Sequence, residues 1–232
     1  MKTISKLLAG LGVIASFTAS GPQARAQQDP PGVGFVRIVN AVAPGEGKAN
    51  IIIDGEDIFP KGYNLGQKTG GFGLTAGPHT ISFRKAGVAS GTTQITLIKG
   101  ETLSLIGFAE KVPAEKPEDP PVWRTKLLHL KQSEPQHGYG VVLVSLCPQD
   151  EIKVQTEVQG TRKPEMVYAK RLVVTRVNLG KSRKEVLLKT GGETVARVSP
   201  EEPGNYVVVF YEDADGKIKA LSFYDPKFVV AG

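Results

Sequence analysis

One cysteine, Cys147, stands in a chain of 232 residues, so no internal disulfide can form and stability must come from burial and backbone pairing. Histidine is nearly as scarce. His79, His129 and His137 match no ligand spacing, because metal sites usually hold two ligands within about two to five residues, and neither a metal nor another cofactor is expected. Basic runs with interleaved aromatics are missing, which argues against a nucleic-acid partner. Long helical periodicity is missing after the first 26 residues, and no apolar run approaches the roughly 20 residues that span a bilayer.

What is present begins with an export signal. Lys2 and Lys6 form a positive start, Leu7 to Ala19 an apolar run, and Ala24-Arg25-Ala26 a small-x-small cleavage site, so a signal peptide is expected over residues 1–26 with cleavage near Ala26. The run is too short for an anchor. A lipid anchor would need a cysteine directly after it, and the only cysteine is Cys147. Processing removes three bases and no acid, so 29 bases against 23 acids become about 26 against 23, and most of the excess positive charge belongs to the signal. The expected address is the periplasm or the exterior.

Residues 27–33 are polar and proline-rich and read as a flexible lead-in. From Phe35 onward, short runs of Val, Ile and Leu alternate with Gly, Pro, Asn and Asp about every 8 to 12 residues, the pattern of an all-β sandwich. Strands are predicted near 34–40, 49–54, 72–75, 79–85, 92–98 and 102–109. Further strands are predicted near 125–131, 139–146, 151–158, 166–177, 184–189, 193–198, 205–212 and 217–224. Thr80 to Arg84 and Gln94 to Leu97 alternate apolar and polar, so each should bury one face, whereas Ile51-Ile52-Ile53 should lie in a covered sheet. Residues 110–122 hold four prolines and six charges and read as a semi-rigid linker. The expected organisation is two tandem Ig-like antiparallel β-sandwich domains, 34–109 and 123–228. A shift of 91 positions sets Val36 to Val39 against Leu127 to Leu130, and Ile51 to Ile53 against Val142 to Val144, as a low-identity repeat.

The first half carries a recognisable set of motifs. Val36-Arg37-Ile38-Val39-Asn40-Ala41, a Pro-Gly loop, Ala49-Asn50-Ile51-Ile52-Ile53-Asp54-Gly55 and Leu74-Thr75-Ala76-Gly77-Pro78-His79-Thr80-Ile81 follow one another, then Lys99-Gly100-Glu101-Thr102-Leu103-Ser104-Leu105. Residues 34–109 thereby resemble a bacterial family of exported Ig-like domains of unknown function. The second half is similar only in Pro203 to Val209 and Asp213 to Lys217, and lacks the opening motif. The resemblance implies a β-sandwich at the cell envelope or surface and carries no activity.

Candidate chemistry is thin. Cys147 could be a nucleophile with His129 or His137 as base, but it follows the apolar run Val141 to Leu146, where cysteine acts as a small hydrophobe. His79 reads as a turn residue. Asp213-Ala214-Asp215-Gly216 echoes a calcium loop but lacks its later ligands, with Tyr224 at the twelfth place, and reads as a hairpin turn. Gly70-Gly71-Phe72-Gly73 and Gly180-Lys181-Ser182 lack the helix that a phosphate loop requires. Trp123, Tyr139, Tyr168, Tyr206, Phe210, Tyr211, Phe223 and Tyr224 concentrate in the second half, either as core or as part of a sugar platform. No catalytic, cofactor or metal residue is assigned. The expectation is a non-catalytic interaction or structural module that meets an envelope protein or a glycan. Carbohydrate binding is the first alternative and a hydrolase with an unrecognised site the second.

Overall fold

The computed structural model describes residues 32–226 except 115, 117, 132–137, 182 and 214, and these contain strands and no helix. No helix there is long and apolar enough to cross a membrane. The strands form two β-sandwiches in tandem, each of two four-stranded sheets.

In the first half, β1 (Val33–Asn40), β4 (Phe72–Thr75), β7 (Thr102–Val112) and β8 (Val122–Lys131) form one sheet in the order β4-β1-β7-β8. Its facing sheet takes β2 (Glu46–Ile53), β3 (Glu56–Asp57), β5 (Gly77–Ala86) and β6 (Thr92–Leu97) in the order β3-β2-β5-β6. The second half repeats this with β9 (Tyr139–Ser145), β10 (Glu151–Val158), β11 (Glu165–Lys170), β12 (Thr175–Gly180), β13 (Val186–Thr190), β14 (Glu193–Val198), β15 (Gly204–Glu212) and β16 (Ile218–Tyr224). Its sheets run β12-β9-β15-β16 and β11-β10-β13-β14, the same order eight strands later. Pairing is antiparallel except for one parallel pair in each half, β1 with β7 and β9 with β15.

Alternation places the cores. Val36 and Ile38 of β1, Ile51 and Ile53 of β2, Ile81 and Phe83 of β5, and Leu103 and Leu105 of β7 point between the first two sheets. Val141 and Leu143, Ile152 and Val154, Val186 and Leu188, and Val208 and Phe210 do the same in the second half. A third core lies between the halves. There the opposite faces of the central strands meet, with Val39, Ile106 and Phe108 packed in one cluster with Val142, Val144, Val207, Val209 and Phe223. The parallel pairs are therefore covered on both sides, which is the setting parallel pairing favours and the reason these strands are rich in Val, Ile and Leu. Each of these side chains contributes about 1.5–3 kcal/mol when fully buried.

Three sequence expectations change. Residues 110–122 do not separate the sandwiches: β7 runs on to Val112 and pairs with β8 from Val112↔Val122 to Leu103↔Lys131, so Pro113, Pro120 and Pro121 lie between two paired strands and β8 belongs to the first half. Proline content reports local stiffness and carries no information about where the flanking strands pair. The predicted strand 166–177 divides into β11 and β12, which lie in different sheets, with Leu172 at φ 57° in the crossing. The 91-residue shift sets β1 against β8 and β2 against β9, one strand out of phase. Ile38 pairs with Leu105 as Leu143 pairs with Val208, so β1 corresponds to β9.

Candidate functional site

The two halves meet squarely along the third core and part at one end, leaving a cleft of about 480 Å³. Ala41, Phe108 and Leu146 continue the third core onto its lining. Pro44 from the β1–β2 loop and Pro148 from the β9–β10 loop stand at matching places in the two halves. Trp123 of β8 comes from the first half and Tyr211 of β15 from the second, both half-buried.

Among the charges lining the cleft, Glu110 and Arg171 pair with each other across the halves. Glu110 of β7 binds Lys126 and, across the halves, Arg171. Burial pushes the Glu110 carboxyl up, and the bonds to Lys126 and Arg171 outweigh this and hold it below its ordinary value. Glu212 accepts from the Gln149 amide. Asp213 Oδ1 accepts from the Asp215 and Lys217 amides at 3.0 and 2.9 Å, the turn expected there. Lys111 Nζ lies 5.2 Å from the centre of the Trp123 ring, a cation–π contact between cross-strand partners. Burial, helped by Asp213, raises the Tyr211 phenol.

Trp123, Tyr211 and the Asp213 turn line the cleft, whereas Cys147, His79 and His129 lie elsewhere. Cys147 is fully buried in the second core, where burial raises its thiol to about 11, with the Ser145 hydroxyl acting weakly the other way. His129 is exposed on β8, and His137 lies outside the described residues. His79 ring nitrogens sit 2.7 Å from Asp54 Oδ2 and 2.7 Å from the Thr75 carbonyl, clasping the Asp54-Gly55 turn to the start of β5. Among the described residues no group of three His, Cys, Asp or Glu is placed to hold a metal. Gly73 is extended within β4 and Gly180 ends β12 with φ 73°, so neither glycine motif opens a helix; Ser182 is outside the described residues.

The aromatics scatter over several surfaces. Phe210 fills the second core, Tyr139 packs against it, and Phe223 belongs to the third. Tyr206 and Tyr224 stack on each other, 5.0 Å between centres, and their hydroxyls bond to the Glu201 to Pro203 backbone. Tyr168 is exposed on the edge strand β11. Only Trp123 and Tyr211 of the eight reach the cleft. Sequence reasoning missed the cleft because its parts lie on six separated segments that only the packing of the halves brings together. No family model matches the chain, and no curated protein matches it.

Proposed function

We propose that this protein is an exported, non-catalytic binding module of the bacterial envelope and that it recognises its partner through the cleft between its two sandwiches. Export is supported by the basic start, apolar run and Ala24-Arg25-Ala26 site, and the envelope by the resemblance of residues 34–109 to exported Ig-like domains.

The observation that carries the reading is a cleft lined from both halves in which two of the four carboxylates, Glu110 and Asp213, are already engaged. Proton transfer needs an acid or base free to gain and lose its proton near the working pH. Glu110 instead sits in two ion pairs, and Asp213 is spent on its own turn. An arrangement of this kind supports a preformed recognition surface, apolar at its base and polar at its rim.

A pull-down from envelope fractions with the processed chain tests the proposal. The wild type should retain a partner that Ala43→Trp, which fills the cleft from a lining position, releases. Equal retention by both would sink the cleft as the recognition site.

A further inference from the structure

Resting on that reading, we propose that the cleft binds a short neutral oligosaccharide. Its volume of about 480 Å³ lies within the range of roughly 300–1,000 Å³ that small-molecule sites occupy. Trp123 and Tyr211 enter from opposite halves, so a ligand held by both also bridges the two sandwiches. A pyranose presents apolar C–H faces, which suit aromatic rings, and an equatorial girdle of hydroxyls, which suits carboxylates and cationic donors around them. The cleft has that distribution, with Asp150 and Glu212 as acceptors and Arg171 as donor beside an apolar base.

Charge narrows the class. The lining holds the acids Glu110, Asp150, Glu212 and Asp213 against the bases Lys111 and Arg171, so phosphorylated or uronate-rich chains meet net repulsion. A cationic ligand competes with Lys111, whose ammonium already lies over the Trp123 ring. Strand addition by a polypeptide needs an unpaired edge. At the cleft β7 and β15 are paired on two sides, and the outer edge of β8 at Trp123 and Thr125 is already bonded to Ala89. A neutral polyol is neither repelled by the acids nor in need of a strand edge, and it approaches Trp123 beside the Lys111 ammonium that already lies over the ring.

The test is a glycan array probed with the full processed chain, followed by calorimetric titration of the strongest neutral oligosaccharide. Trp123→Ala and Tyr211→Ala should each weaken binding by about tenfold or more, the size of a lost ring contact, while Trp123→Phe retains most of it. Tyr168→Ser, on the remote edge strand β11, should bind as the wild type does. Near-ultraviolet circular dichroism checks each fold; should Trp123→Ala misfold, Tyr211→Ala and Asp150→Asn on its exposed loop carry the comparison. The proposal is overturned if no neutral glycan binds at millimolar concentration, if only anionic glycans bind, or if affinity ignores all the cleft substitutions. Release of an envelope polypeptide by Ala43→Trp without any glycan binding overturns the sugar and leaves the cleft standing. Retention of a partner by Ala43→Trp removes the cleft itself.

Discussion

Arg37 of the first strand and Asp225, just past the last, form a buried ion pair across the two halves, and Ser104 of β7 donates to the same Asp225 oxygen. Both ionic side chains are 3% exposed. Burial raises the Asp225 carboxyl, against the Ser104 hydrogen bond and the Arg37 charge, and lowers the Arg37 guanidinium, against the Asp225 charge. A pair buried this deeply specifies geometry more than it adds stability, since both desolvation penalties must first be offset. Asp225→Ala should therefore destabilise the protein by about 3–5 kcal/mol, because it removes the carboxylate that faces a buried guanidinium. Arg37→Met combined with Asp225→Leu should recover most of that loss. Denaturant midpoints of the three variants check the pattern, and an additive double variant would refute it.

The third core should make the halves unfold as one cooperative unit. If they separated on unfolding, Ile106, Phe108, Val144 and Val209 would all meet water, at about 1.5–3 kcal/mol each. The chain supplies one reporter per half: Trp123, its sole tryptophan, on β8, and Cys147, its sole cysteine, in the second core. Trp123 fluorescence and Cys147 thiol labelling should follow the same urea transition. In the native state the thiol should resist maleimide, being buried with a pKa near 11. Two separated midpoints would show that the halves unfold independently.

Much of this architecture was legible in the sequence where one strand face is wet. Thr80 to Arg84 and Gln94 to Leu97 alternate as a half-buried strand must, and their inward residues Ile81, Phe83, Ile95 and Leu97 are found in the core. The strands covered on both faces were legible as apolar runs, but an apolar run does not name what covers it. The join between the halves therefore stayed hidden. Arg37, a charge set between Val36 and Ile38, was its one visible trace, because a buried base requires a distant acid. The strand division at Leu172 left no sign at all, since leucine is not a turn former and its positive φ is imposed by the crossing between sheets.

His79 gives the first half a pH dependence. The Thr75 carbonyl, and then the Asp54 carboxylate, raise its imidazole above the ordinary 6.5. A raised folded value means the contribution is fully present below 6.5 and is lost as pH rises through the folded value. Asp54 runs the opposite way: the Thr80 amide and His79 lower its carboxyl below 3.8, so its contribution is present above 3.8 and fails as pH falls through the folded value. Stability from this clasp is thus greatest between about 3.8 and 6.5, and it amounts to no more than about 1 kcal/mol because Asp54 is half exposed. Melting temperatures of wild type and His79→Gln should converge above neutrality and diverge near pH 5.5. Curves that stay parallel would remove the clasp as the cause.

Gly107 is the narrowest point of the first core. A Cβ placed there would stand 2.0 Å from the Phe83 ring, which lies flat against the β7 backbone because glycine leaves room for it. Phe83 is 1% exposed and enclosed by the first core, so the ring has no vacant space to enter. Gly107→Ala should therefore destabilise by about 1–3 kcal/mol, the usual range for overpacking a tight interior. Phe83→Leu alone should also destabilise, through the cavity it leaves. Combining the two should be less damaging than their sum, because the smaller side chain makes room for the new methyl. Chemical denaturation of the single and double variants reads the coupling directly, and strict additivity would show that the contact between Gly107 and Phe83 does not set the packing of this layer.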